Sequence, residues 1–283
     1  MHDPTAREAP TRSTIDPRPV LARIEIFPFK SLDPLEVRSA RLLPSGAIEN
    51  DRTWALFDGE GRFVNGKRFA TIHRLRSEFK PASRQLTIRN GGETGSERAT
   101  FHIEDQRASL ESWLSRYFGF SVSVRDNIEV GFPDDLNSPG PTLISSATLA
   151  EIGRWFQLPI ESVRRRFRTN LEIDGVPPFW EDKLFGPAGT TVRFRIGGVQ
   201  FDGINPCQRC SVPPRDALTG TNDPLFARRF AEMRERTLPP WSARDRFNHF
   251  YRVALNTRLA GDPNDRVLNV GDEIEIVERA AAG

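Results

Sequence analysis

The sequence predicts a mostly-β protein of the α+β class, built from barrel-like modules of short strands with a few short helices. Short runs of alternating apolar and polar residues recur along the chain, separated by turns bearing Gly, Asp and Pro. Stretches with helical spacing of apolar residues are few. Strands and helices do not alternate regularly, so a parallel doubly wound sheet is not expected.

The first strand begins at residue 20, where Ala22, Ile24 and Ile26 alternate with Arg23 and Glu25. Pro28 in Phe27-Pro28-Phe29 breaks its ladder and leaves Lys30 and Ser31 at a strand end. Residues 52–57 read as a strand that turns at Asp58-Gly59 and returns over 62–64. A further hairpin is expected around Asn90-Gly91-Gly92, joining 86–88 to 101–103. A helix is expected over 109–118, with Leu110, Trp113, Leu114 and Phe118 as its buried stripe. After a strand at 122–124, the Pro-, Gly-, Asp- and Asn-rich stretch 131–141 divides a unit over 19–130 from one over 131–283.

The second unit opens with Leu143-Ile144 and then Ser145-Ser146-Ala147-Thr148-Leu149, the start of a helix reaching Phe156. Ser or Thr caps it, Thr148 and Glu151 fit a capping box, and Leu149, Ile152, Trp155 and Phe156 face inward. Ser145 and Ser146 at such a start can hold an anion; an ordinary cap is the other reading. Arg164-Arg165-Arg166-Phe167-Arg168-Thr169-Asn170 leads into a strand at 171–173. A basic run is usually a solvated face, but one tied to a strand must turn some arginines inward. Those need acidic partners, for which Glu181 and Asp182 are candidates. A hairpin over 191–201 turns at Gly197-Gly198 and feeds a cysteine loop. Asp223-Pro224 reads as the cap and first residue of a helix packed through Leu225, Phe226, Phe230 and Met233. Strands at 250–255 and 273–277 close the fold.

With 283 residues, 37% hydrophobic and 10% aromatic, the chain can bury a sizeable core. No apolar run approaches the ~20 residues of a membrane span, so no membrane association is expected. Residues 1–18 are polar and Pro-rich, lack the apolar core of an export signal, and read as a flexible tail. Two cysteines fit a reducing, cytoplasmic setting rather than a disulfide framework. A net charge of +2 gives no reason to expect a nucleic-acid partner. Lysine occurs only at 30, 67, 80 and 183, a bias that genomic base composition explains and that still singles out Lys30.

The two cysteines stand three apart in Asn205-Pro206-Cys207-Gln208-Arg209-Cys210. Zinc wants about four ligands, and His2, His73, His102 and His249 are scattered. A thioredoxin-like dithiol wants a helix start in a parallel framework, which Pro206, Pro213 and Pro214 oppose. Two readings remain: a buried structural pair, or one thiolate on a metal carried by an organic cofactor whose anionic tail is held by Lys, Ser and Arg.

Six motifs in one order resemble the MOSC family, which includes proteins similar to the C-terminal domain of molybdenum cofactor sulfurase and the amidoxime-reducing proteins. They are Phe27-Pro28-Phe29-Lys30-Ser31, Asp51-Arg52-Thr53-Trp54, Ser145 to Leu149, Arg166 to Asn170, Cys207 to Gly220, and Val270-Gly271-Asp272-Glu273. The resemblance implies an N-terminal β-barrel-like domain before a MOSC-type β-barrel, and a molybdenum cofactor of the molybdopterin type. It places the metal-ligating cysteine at Cys210 and cofactor-binding groups at Lys30, Ser31, Arg52, Arg166, Arg168 and Asn170, with Ser145, Ser146, Gln208 and Arg209 as further candidates. It implies reduction of N-hydroxylated or N-oxide compounds. Electrons would come from a separate ferredoxin, flavoprotein or cytochrome, since no cysteine after Cys210 is left for an iron–sulfur cluster. No pyridoxal-phosphate sulfurase domain is expected with it. Asp216 and Glu181 are candidates for proton handling or for orienting arginines. A carrier of cofactor or persulfide sulfur is the alternative. Arg168-Thr169-Asn170 stands where the reductases commonly have Arg-Pro-Asn, and Ser211 to Asp216 departs from their Thr-Thr-Val-Asp-Pro, so the loop on the metal's open side is this chain's own.

Overall fold

A computed structural model describes residues 18–91, 97–261 and 266–281. In chain order the first half gives β1 (Val20–Ile26), β2 (Leu35–Val37), β3 (Ser39–Arg41), β4 (Trp54–Asp58), β5 (Leu75–Lys80), β6 (Gln85–Asn90), β7 (Arg98–His102), α1 (Arg107–Phe118) and β8 (Val122–Asp126). The second gives β9 (Leu143–Ser145), α2 (Ser146–Phe156), α3 (Ile160–Phe167), β10 (Leu171–Asp174), β11 (Thr190–Ile196), β12 (Val199–Gln208), α4 (Phe226–Arg236), β13 (Arg252–Ala260), β14 (Val267–Asn269) and β15 (Ile274–Ala281).

The expected class holds: among the described residues strands dominate and four α-helices decorate them. Among the described residues, eight strands form one mixed sheet in the order β15-β11-β12-β13-β9-β10-β1-β2, in which only the β9–β10 pair is parallel. The expected barrel is not closed. The sheet curls until Val20 bridges Glu273, and Leu21 N–H bonds Asp272 O at 2.8 Å, but no ladder joins β1 to β15 along their length. β1 and β2, early in the chain, thus lie in the same sheet as β9 to β13 and β15. The core on its inner side includes Leu21, Ile24, Leu143, Phe194 and Phe201.

A two-stranded sheet pairs β3 with β14, Ala40 opposite Leu268, and two further sheets belong to the first half. β5, β6 and β7 form a meander, β4 pairs with β8, and α1 packs on β8. Their shared core holds Phe29, Trp54 and Phe79, whose rings touch at 5.2 to 6.2 Å. The Asp58-Gly59 turn forms: Phe57 bridges Phe63, and Val64 N–H bonds Leu56 O at 2.8 Å. β6 and β7 form the other hairpin, though Gly92 lies outside the described residues.

Several local expectations need correction. A bulge between Leu21 and Arg23 resets the alternation in β1, so Leu21 rather than Ala22 faces the core. α2 is capped by Ser145, whose Oγ accepts the Thr148 N–H at 3.0 Å, in place of a Thr148–Glu151 box. The basic run belongs to a helix, α3, whose buried Val163 and Phe167 were too few to show a period. α4 starts at Phe226; Asp223 accepts the Leu225 N–H at 2.9 Å in the turn before it. The cysteine stretch is strand through Gln208, with Pro206 opposite Leu255. Among the described residues, no helix is long and apolar enough to cross a membrane.

Candidate functional site

A cavity of about 550 Å³ opens between the two halves of the chain. Volumes of roughly 300 to 1,000 Å³ are typical of cofactor and small-molecule sites. Its walls come from the turn after β1, the start of β5, the 130–142 connection, the end of α3 and the end of β12. Lys30 is placed by backbone pairing: its N–H bonds Trp54 O at 2.8 Å, and its buried side chain donates to Phe132 O at 2.8 Å and Asp134 at 3.0 Å. Burial lowers the Lys30 pKa. Lys67 donates to the same Asp134 oxygen at 3.1 Å. Burial alone would raise the Asp134 pKa, but Lys30, Arg52 and Lys67 hold it well below the usual carboxylate range.

Ser31, Arg52 and Arg168 all line this cavity with φ of 74, 51 and 53°. Left-handed backbone costs an L-residue on the order of 1 kcal/mol or more, and such residues cluster where a side chain must be aimed. For Arg168 the cause is visible: it terminates α3, its N–H bonding Arg164 O at 2.9 Å, before the chain turns into β10. Its guanidinium donates to Leu32 O at 2.7 Å and lies over Phe27, 4.2 Å from the ring centre. Arg52 lies over the same ring at 5.1 Å and is paired with Asp51. Among the described residues no carboxylate pairs with Arg168. Burial first, and Arg52 next, bring its pKa down to about 10. A largely buried cation beside another cation is an anion-binding arrangement.

Cys207 and Cys210 line the same cavity, and both are partly buried. Arg209 Nη1 lies 3.3 Å from the Cys207 sulfur, and its Nη2 donates to Phe167 O at 2.5 Å. The Cys210 carbonyl accepts from Tyr251 at 3.2 Å. Lys67 is close enough that the Cys210 thiolate helps raise its pKa, after Asp134. Among the described residues, no group of three or more His, Cys, Asp or Glu is arranged to hold a metal ion. Among the described residues, Cys210 therefore stands without a ready-made set of further protein ligands for a metal.

Residues 18–156 match the family profile described as MOSC N-terminal beta barrel domain, and residues 142–275 match the MOSC domain. The chain belongs to the MOSC family. Relatives include a molybdenum cofactor sulfurase of Drosophila grimshawi, 26% identical over 73% of this chain and 29% of that protein. Another is a molybdenum cofactor sulfurase of Caenorhabditis elegans, 30% identical over 41% of this chain and 15% of that protein. That of Drosophila mojavensis is 23% identical over 92% and 35%. The MOSC chain thus spans about a third or less of the length of these relatives.

Of the candidates read from the sequence, this MOSC cavity brings together Lys30, Ser31, Arg52, Arg166, Arg168, Asn170, Gln208, Arg209 and Cys210. Not all of them are free to meet a ligand. Asn170 Oδ1 accepts from Thr142 at 3.2 Å while its amide donates to Glu25 O at 3.1 Å, tying the 142 and 170 segments to β1. Arg166 donates to Pro213 O at 2.9 Å and Arg215 O at 2.8 Å, holding the loop after the cysteines. Gln208 accepts from Arg252 at 3.2 Å.

Four candidates fall outside the cavity lining. Ser145 is fully buried as the α2 cap, and Ser146 donates to Glu172 at 2.9 Å. Asp216 shapes its own turn, accepting Leu218 and Thr219 N–H groups at 3.0 and 2.9 Å, and meets Arg166 at 3.3 Å. Glu181 is buried against Thr148, 3.1 Å away. The expected partners of the basic run also change: Arg164 pairs with Glu172 and Glu161, while Asp182 pairs with Arg234. Sequence reading missed Lys67, His73, Arg76 and Asp134. The scarcity of lysine that singled out Lys30 applied equally to Lys67.

The donor set fits a phosphate-bearing, metal-carrying cofactor. The cavity offers an uncompensated guanidinium, two ammonium groups and two thiols, and among the described residues the Nε atoms of Arg76, Arg166 and Arg209 are buried without partners. Thiolate suits molybdenum; guanidinium suits phosphate.

Proposed function

We propose that this chain binds a molybdopterin-type molybdenum cofactor and reduces N-hydroxylated or N-oxide compounds with electrons from a separate redox protein. The observation that carries the reading is Arg168: a largely buried guanidinium, next to Arg52 and without a carboxylate, in a cavity whose wall also bears Cys210. Lys30, Arg52 and Arg168 would hold the phosphate by charge-assisted hydrogen bonds, and the Cys210 thiolate would ligate the metal. When bound, the cofactor would supply two-electron chemistry that removes an N–O oxygen as water. The chain's own part is placement. Tyr251 fixes the Cys210 backbone, Arg209 ties the motif to α3, and Arg166 holds the 213–216 loop beside it. Lys67 lies beside Cys210 on the same wall of the cavity.

Metal analysis of purified protein supplied with free cofactor, with an amidoxime assay driven by a reduced dye, tests this. Stoichiometric molybdenum and turnover, both lost in Cys210→Ala, are expected; full activity in that variant refutes the role of Cys210. A second reading, a cofactor or persulfide carrier, draws on Arg209, whose Nη1 lies 3.3 Å from the Cys207 sulfur. Cyanide-labile sulfur without molybdenum would select it.

A further inference from the structure

Beside the cavity mouth lies a second cleft, of about 330 Å³, whose lining includes Arg76, Arg89, Arg98 and Arg165. Three of these form a row. Arg76 on β5 stands opposite Arg89 on β6, and Arg89 stands opposite Arg98 on β7. Directly opposed residues on antiparallel strands share a face, with strands ~4.8 Å apart, so the row spans roughly 10 Å. Like charges in that position oppose the pairing of the strands. Nothing in the local fold requires them: the opposite face of the meander, with Leu86, Ile88 and Phe101, already supplies its core.

Arg165, on α3, faces the row across the cleft, and Arg165 and Arg89 both help lower the Arg76 pKa, after burial. Against four guanidiniums the lining carries two carboxylates, Asp33 and Glu78. Asp33 is engaged by Arg76 at 3.1 Å and Arg165 at 3.7 Å, and Glu78 lies 3.8 Å from Lys80. Among the described residues, no carboxylate pairs with Arg89 or Arg98, both exposed. Thr87 adds a hydroxyl. The two clefts are continuous: Asp33, Pro34, Arg76 and Arg165 line both.

We infer that the Arg76–Arg89–Arg98 row and Arg165 form a second phosphate-binding subsite at the cavity mouth. It would take either a further phosphoryl group of a ligand seated in the cavity or a free phosphate-type anion. The chemistry is the same in both cases: several guanidiniums converging on a multiply charged oxyanion. Only the first source rests on the cofactor reading above.

The test is calorimetric titration of sodium pyrophosphate into the full chain at low ionic strength. Two binding events are expected. Arg89→Ala/Arg98→Ala, both at exposed positions, should weaken one of them roughly tenfold or more, while Arg52→Ala should weaken the other. An isotherm unchanged by the Arg89/Arg98 double substitution overturns the subsite. Molybdenum content separates the two sources: a fall in the double variant supports a phosphate tail of the cavity ligand, and no change supports a free anion. A chain that takes up no molybdenum yet keeps the Arg89-dependent titration would sink the cofactor reading and leave the subsite standing.

Discussion

Arg52 and Arg168 press on one ring, Phe27, with their central guanidinium carbons 5.1 and 4.2 Å from its centre. One carboxylate, Asp51, pairs with Arg52, so the two cations are half neutralised by the chain. Each half of the chain contributes one of them, and both rest on left-handed backbone.

Replacing Arg168 with Gln therefore separates two roles. The ligand-free protein loses a cation whose charged form burial disfavours, so its melting temperature should change little. Protection by added phosphate should weaken about 10-fold to 100-fold, the range for one charge-assisted contact of ~1.5–3 kcal/mol. Thermal shift against phosphate concentration measures both. Equal protection in variant and wild type would dismiss Arg168 as an anion ligand.

Asp134 occupies the donors that an anionic ligand would need, since Lys30 and Lys67 both reach its Oδ1. Asp134→Asn should tighten phosphate binding severalfold, roughly threefold to tenfold given the partial exposure of the carboxylate. The sign of the pH effect follows from a depressed folded-state pKa. The ion pairs stabilise the ligand-free protein at neutral pH, and that contribution is lost as pH falls below about 4 and through the folded value. The Asn variant should lack this acid-side loss in a melting-temperature profile. Weaker phosphate binding in the variant would instead make Asp134 an organiser of Lys30.

Much of this site was legible because its residues lie at element ends, where turn chemistry marks the sequence. Phe27-Pro28-Phe29 placed Lys30, and Asn205 to Cys210 placed the thiols. The resemblance linked them; spacing alone could not have brought residues 30, 168 and 210 to one cavity. α3 was hidden because three of its eight residues are consecutive arginines, and Arg164 and Arg166 are buried by pairing rather than by hydrophobicity. Ser145 kept two readings open because a cap that holds its own Thr148 N–H looks, in sequence, like a cap open to an anion. Asp134 sat in a connection whose composition says only that it is irregular.

Glu181 provides a test independent of any ligand. It is 1% exposed, with Thr148 at 3.1 Å from Oε2 and no partner for Oε1. Burial, and then the neighbouring Asp182, raise its pKa to about 7. The nearby Arg234 does not relieve it, being committed to Asp182 between the rings of Phe179 and Phe247. A carboxyl whose folded pKa exceeds the unfolded value holds its proton better when folded. Its stabilising contribution is complete below about pH 4.3 and is lost as pH rises through about 7. The loss amounts to something on the order of 3 kcal/mol. Glu181→Gln keeps the neutral shape without the titration. The variant should match wild type near pH 5 and exceed it in denaturant midpoint at pH 8, with a flatter profile between. Parallel profiles for the two proteins across that range would show that Glu181 stays ionised in the fold, and that Thr148 and the surrounding backbone compensate its charge.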